Sequence, residues 1–186
     1  MKKYELTTNT KMLFGRKLFQ IKALVSFGDV TAGDLGGYIE KEENLSHDGD
    51  AWVYDRALIF GDAKVYGDAR VSGDAQVSGD ARVSGDARVY GDAQVYGDAL
   101  VSGDARVSGN ADYICFKGFG SVNRNTTMFR TKNGDVYVRC GCFAGNLKEF
   151  SEKVKETHGS SKYAKEYLEC VEAAKIHFEI GEKDDK

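Results

Sequence analysis

Between Val53 and Asp112 the chain repeats itself every six residues, ten times without a break. The first two units, Val53-Tyr-Asp-Arg-Ala-Leu58 and Ile59-Phe-Gly-Asp-Ala-Lys64, are the least regular. The other eight run from Val65-Tyr-Gly-Asp-Ala-Arg70 to Val107-Ser-Gly-Asn-Ala-Asp112 and read V-[YS]-G-D-A-x. A short fixed period constrains architecture more than bulk composition does. Six residues do not close a whole number of helical turns, and such a unit cannot bury its own apolar face. It does suit one side of a triangular coil, with three units to an 18-residue turn. Val then fills the interior of a short strand, Ala fits the crowded corner, and Gly-Asp makes the bend. Asp and Asn tolerate left-handed backbone better than most residues, so Asp62 through Asp104, with Asn110, are expected at the corners.

An aliphatic first position and a small fifth one resemble the hexapeptide repeat of left-handed parallel β-helices. The expected fold is mainly β: a left-handed parallel β-helix over residues 47–112, an N-terminal β cap over 1–46, and a C-terminal cap over 113–186. In the N-terminal cap, Tyr4-Glu5-Leu6 can pair across a turn near Gly15-Arg16 with a strand in which Phe19, Ile21 and Ala23 alternate with Gln20 and Lys22. The glycine-rich link from Gly28 to Ile39 lacks the context of a phosphate-binding loop and reads as tight turns. In the C-terminal cap, Lys132-Asn133-Gly134 marks a hairpin, and Asn146 with Glu149 opens a helix that stops at His158-Gly159. A second amphipathic helix follows from about Ser161. Both helices need a surface to cover, and the hairpin and the open end of the coil are the nearest.

A formal charge of −3 argues against a general binder of long nucleic acid, and no apolar run approaches the ~18 residues of a membrane span. Met1-Lys2-Lys3 leads into Tyr, Glu and Leu-Thr rather than a signal-peptide core, so the reading is cytoplasmic, in a bacterial host cell. Cys140-Gly141-Cys142, Cys115 and Cys170 lack the paired spacing of a zinc site and read as buried free thiols. No metal and no cofactor is expected.

Wrapping the ladder at 18 residues per turn separates three faces. The first carries Trp52, Arg70, Arg88 and Arg106 in one column beside Tyr54, Ser72, Tyr90 and Ser108. The second carries Leu58, Gln76 and Gln94 beside Phe60, Ser78 and Tyr96; the third carries Lys64, Arg82 and Leu100 beside Tyr66, Ser84 and Ser102. The arginines have a bland use, to neutralise the stacked corner aspartates. They also have a functional one: Trp52, Tyr54, Arg70, Arg88, Tyr90 and Arg106 together suit a ligand that is both anionic and aromatic. The second face is the least charged, so Leu58, Phe60 and Tyr96 are expected at a contact between copies of the chain, a trimer fitting the triangular section better than a dimer.

Gly33-Asp-Leu-Gly-Gly-Tyr-Ile-Glu40, Asn44-Leu-Ser46 and Ala51-Trp-Val-Tyr54 precede the ladder; Phe129-Arg-Thr-Lys132, Cys140-Gly-Cys-Phe143 and two helical segments follow it. On these the chain resembles a group of bacterial and phage hexapeptide-repeat proteins that carry polymer-forming or transferase-like labels. The resemblance implies the fold and leaves three functions open. An acyltransferase using acyl-coenzyme A needs a histidine base near its acceptor. The histidines, His47, His158 and His177, all lie outside the ladder, and only His47 is placed to serve. A bactofilin-like filament needs an uncovered coil end, yet about 46 residues precede the ladder and about 74 follow it. The favoured reading is a non-catalytic oligomeric protein sequestering a small anionic nucleotide-type signal, for which the resemblance to phage proteins implies a counter-defence role.

Overall fold

The structure, a computed structural model, describes residues 1–180, and the chain divides into two compact units, residues 1–110 and the part from residue 111 onward. Ten two-residue strands, β4 (Trp52–Val53) to β13 (Arg106–Val107), recur every six residues. They stack in parallel at a spacing of 18 residues: Trp52 beside Arg70, Arg88 and Arg106; Leu58 beside Gln76 and Gln94; Lys64 beside Arg82 and Leu100. The result is a β-solenoid of about four turns with the three columns that the period dictates. From Val53 to Val107 every first-position aliphatic residue, and from Ala57 to Ala105 every fifth-position alanine, is at most 1 % exposed. Each such valine contributes on the order of 1.5–3 kcal/mol by leaving water.

The bends differ from expectation in which residue is left-handed. Gly61 through Gly103 hold φ between 65° and 70°, and the aspartates that follow them do not. Glycine wins because its Cβ would also press on the coil stacked below: at Gly85 a Cβ would lie 2.9 Å from the backbone nitrogen of Gly103. In the first unit, where the glycine position holds Asp55 instead, that residue takes the left-handed conformation at φ 52°, and its carboxylate accepts the Gly73 N–H at 3.0 Å. The tenth unit leaves the coil at Asn110, whose side-chain oxygen accepts the Gln94 N–H at 3.0 Å and opens a short 3-10 turn over Asn110–Asp112.

Strands β1 (Tyr4–Leu13) and β2 (Arg16–Ala23) form the expected antiparallel hairpin, and β3 (Leu35–Ile39) joins it to the solenoid, because Tyr38 pairs in parallel with Leu58. One detail differs. Leu18 and Ile21 are buried while Phe19 is half-exposed, since a bulge between Gln20 and Lys22 breaks the period-2 alternation. The glycines of the link also have a second use. Any Cβ at Gly36 or Gly37 would lie 2.5–2.8 Å from Val53, Ile21, Trp52 or Ala57, so only glycine lets β3 lie against the first coil.

In a β-solenoid each corner carbonyl accepts from the coil before it, as Ala69 does from Trp52 and Ala75 from Leu58. The first coil has no predecessor, and a buried orphan carbonyl is costly. Three groups stand in. The Lys3 ammonium donates to Gly49 at 3.0 Å and to Ala51 at 2.9 Å; the Tyr38 N–H donates to Ala57; and the buried Asn44 amide donates to Gly61 at 3.0 Å and Ala63 at 2.9 Å. All three corners are thereby closed.

In the second unit, β14 (Tyr113–Phe119), β15 (Arg124–Arg130), β16 (Val136–Cys140) and β17 (Phe143–Asn146) form an antiparallel meander, with Gly134 left-handed in the β15–β16 turn. Helix α1 (Leu147–His158) starts at a capping box of Asn146 and Glu149 and stops at Gly159; α2 (Lys162–His177) is capped by Ser161. Their apolar faces cover one side of the sheet, with Phe150, Val154, Tyr167, Cys170 and Val171 packed on Met128, Val136, Val138 and Cys140. All four cysteines are free thiols. Cys140 and Cys170 are buried as expected, but Cys142 stands exposed because it falls in the turn after β16. No helix among the described residues is long and apolar enough to cross a membrane.

Candidate functional site

The first solenoid face carries an open cleft of about 440 Å³ lined by Asp29, Tyr54, Asp55, Arg70, Ser72, Arg88, Tyr90 and Arg106. Such a volume falls within the ~300–1,000 Å³ of small-molecule sites. Five of the six residues expected to bind a ligand line it. The ladder positions them through backbone register alone: Arg70, Arg88 and Arg106 follow one another in adjacent coils, and Tyr54, Ser72 and Tyr90 do the same one step beyond the buried valines.

Trp52 is the sixth, and it is corrected. Its Cα belongs to the column, but its ring is 1 % exposed. Phe27 meets it edge-on at 5.4 Å between centroids, and Tyr4 does so at 6.1 Å. The N-terminal segment folds over the first coil and turns this outward position into core, so Trp52 cannot stack on a ligand.

The three arginines are in different states. Asp29, from the turn closed by the Phe27–Val30 bridge, accepts from the Tyr54 hydroxyl at 2.7 Å and from Arg70 at 2.7 Å, one carboxylate oxygen each. The Tyr54 hydrogen bond, then Arg70, holds the Asp29 carboxyl below its usual range; burial and the same hydrogen bond push the Tyr54 hydroxyl well above its own. Arg106 donates to the backbone carbonyls of Asp86, Asp104 and Ala105 at 2.8–3.2 Å. The Arg88 guanidinium, exposed between them, has no hydrogen-bond or ion-pair partner among the described residues, although its backbone N–H donates to Ala105. Three arginines thus outnumber two aspartates, and the central guanidinium is uncommitted. The carboxylate that Arg70 holds is Asp29 rather than the corner Asp68, so neutralising the ladder does not account for this arginine. Asp29 and Asp55 are acidic lining residues that sequence reading missed, and Asp29 is the one that engages Arg70. Asp29 lies in a glycine-flanked turn outside the repeat, and nothing in its local pattern links it to a position 41 residues away.

His47 is held by its surroundings. Its Nδ1 accepts the Lys3 N–H at 3.2 Å, its ring stacks on Tyr4 at 4.4 Å, and its Nε2 lies 3.9 Å from Glu42. The Nδ1 lone pair of His47 is therefore already engaged as an acceptor. Of the residues expected between protomers, Leu58 is corrected. It is 4 % exposed, closed in beside Tyr38 and Gln76 in its sheet, whereas Phe60 is half-buried and Tyr96 is 62 % exposed. Among the described residues no three His, Cys, Asp or Glu side chains gather as a metal would need.

Residues 63–79, 75–91, 81–96 and 93–109 match the YdcK β-solenoid repeat. The chain is also 47 % identical over 45 residues to a protein of Escherichia coli (strain K12) named "Uncharacterized acetyltransferase YdcK". That stretch is 24 % of this chain and 14 % of that protein, so this chain spans a small part of its relative's length. The match to the repeat falls within the ladder, whose valine, alanine and glycine positions are those the coil itself requires. The ladder of this chain is a hexapeptide-repeat β-solenoid, similar over residues 63–109 to the YdcK repeat.

Proposed function

We propose that this protein binds, without transforming it, a small anionic ligand of nucleotide type in the arginine–tyrosine cleft. The observation that carries the reading is Arg88: a guanidinium facing the cleft without a partner, one coil from Arg70 and one coil from Arg106. A fork-shaped donor of this kind suits phosphate oxygens. The alternation along the neighbouring column supports an aromatic component. Tyr54 and Tyr90 flank Ser72, two coils apart, which at ~4.8 Å per coil spaces the rings by roughly 10 Å. A planar base sandwiched between two rings needs about 7 Å, so the serine notch is wide enough for one base. Sequestration of a nucleotide signal is the biological form such binding takes in this reading.

A second reading is favoured by the acetyltransferase name of the Escherichia coli relative. Coenzyme A presents an adenine and phosphates, which the same cleft would hold. The occupied Nδ1 of His47 weighs against transfer chemistry, because His47 would have to break its bond to Lys3 to act as a base. A filament is disfavoured for a different reason: Lys3, Tyr38 and Asn44 already satisfy the carbonyls to which a second solenoid would have to add.

Thermal-shift screening against cyclic mononucleotides, ADP-ribose and coenzyme A, followed by mass spectrometry of the recovered ligand, separates these readings. Binding with the ligand returned intact is the expected result. Acetyl transfer from acetyl-coenzyme A to an amine or sugar, abolished by His47→Ala, would establish the enzyme instead.

A further inference from the structure

The second unit has a cleft of its own, far larger than a defect in packing, at about 580 Å³. Beneath it runs a chain of aromatic rings, of which Phe143 and His158 are half-buried and Phe150 and Tyr167 belong to the core. Phe143 lies 5.2 Å from Phe150, Phe150 meets Tyr167 edge-on at 5.7 Å, and His158 stacks on Tyr167 at 5.7 Å. Val154 completes the apolar surface, while Arg124 and Lys153 stand on the cleft's wall. The sequence arranges this with some care. Gly141 is left-handed at φ 60°, and a Cβ there would collide with the Arg124 guanidinium, so the glycine of the Cys-Gly-Cys turn makes room for that side chain. Arg124 has no hydrogen-bond or ion-pair partner among the described residues, whereas Lys153 is shared with Glu156 at 2.9 Å. One committed cation, one uncommitted cation and the half-buried rings of Phe143 and His158 describe a complementary molecule: a flat apolar body with a single negative charge.

We infer that the C-terminal unit binds a small aromatic carboxylate, its ring against the half-buried Phe143 and His158 and its carboxylate on Arg124. This site is separate from the arginine–tyrosine cleft of the solenoid, and every residue that lines it belongs to the second unit. A monoanion fits better than a polyphosphate, because apolar and aromatic side chains make up most of the lining and only Arg124 is uncommitted. Cys142 provides a built-in reporter. It is the exposed thiol at this cleft, while Cys140 is buried beneath it and accepts the Thr126 hydroxyl at 3.2 Å.

The test uses the whole protein with 2-naphthoate as probe, followed by fluorescence titration and by site-resolved alkylation of Cys142 with N-ethylmaleimide. The expected results are saturable binding, slowing of Cys142 alkylation at saturation by at least severalfold, and an affinity about tenfold weaker in Arg124→Ala. Arg124→Lys, which keeps the charge but not the fork, should fall between the two. Arg88→Ala, in the other unit, should bind the probe unchanged. An unchanged affinity in Arg124→Ala, unslowed alkylation at saturation, or loss of binding in Arg88→Ala would each overturn the assignment. Circular dichroism of Arg124→Ala guards against a folding artefact: loss of the helix signal transfers the decision to Arg124→Lys and to the alkylation rate.

Discussion

Lys3 has the least ordinary environment of any charged residue in the solenoid unit. It is 4 % exposed, with its ammonium on two carbonyls and 4.7 Å from the centre of the Phe27 ring. Burial lowers its pKa to about 8, although Asp50, Asp48 and Asp68 pull the other way. The sign follows from which state holds more protons. Below pH 8 both folded and unfolded chains carry the proton, and Lys3 contributes no pH dependence. Above pH 8 the folded state releases it while the unfolded state, at about 10.4, still binds it, so stability rises with pH. Tyr4 and Tyr54 act in the opposite sense above pH 10, because burial raises both hydroxyls and the unfolded chain ionises first. Denaturant unfolding should therefore show a gain on the order of 2 kcal/mol between pH 8 and 10. Lys3→Met should be less stable and flat across that window; an undiminished rise in the variant would contradict the assignment. Trp52 yields a second prediction at this scale. As core rather than ligand platform, Trp52→Ala should cost about 3–5 kcal/mol of stability, read as a lowered thermal midpoint. A variant that keeps its stability and loses only binding would make Trp52 a ligand platform rather than core.

At the scale of elements, the coil was legible because its period is short, strict and geometrically restrictive. Each of Arg70, Arg88 and Arg106 could be placed on one face by counting alone. The C-terminal hairpin and both helices were legible for a different reason: Gly134, Asn146, Glu149, Gly159 and Ser161 are local signals that act within a few residues. What local pattern could not carry was any contact across the chain. The burial of Trp52 depends on Tyr4 and Phe27, the neutralisation of Arg70 depends on Asp29, and the closing of the first coil depends on Lys3 and Asn44. The closing elements are testable as a set. Asn44→Ala leaves the carbonyls of Gly61 and Ala63 without donors, and each buried unsatisfied group costs roughly 1–3 kcal/mol. Hydrogen exchange in Asn44→Ala should quicken first in the opening coil, at Leu58 to Val65, and only later at Val89. Uniform quickening along the ladder would mean that Asn44 does not act as an end cap.

For the whole molecule, the second solenoid face remains the proposed contact between copies, now without Leu58. Tyr96 is 62 % exposed, Phe60 is half-buried, and the Gln76 and Gln94 column carries no charge. A trimer is proposed, and light scattering at micromolar concentration should return a discrete oligomer mass that falls in Tyr96→Asp. A monomer mass for the unmodified protein would remove that proposal and leave the cleft reading intact, since all eight residues of the cleft come from one chain.

Calorimetric titration of ADP-ribose into the unmodified protein and into Arg88→Ala decides whether the three arginines in register form the proposed phosphate site, with Arg88 as its uncommitted member. A charge-assisted hydrogen bond contributes on the order of 1.5–3 kcal/mol, so the variant should bind roughly 10- to 100-fold more weakly, with the gap narrowing as salt rises. Equal affinity in the two proteins, or no heat of binding in either, would rule out a phosphate site at Arg88.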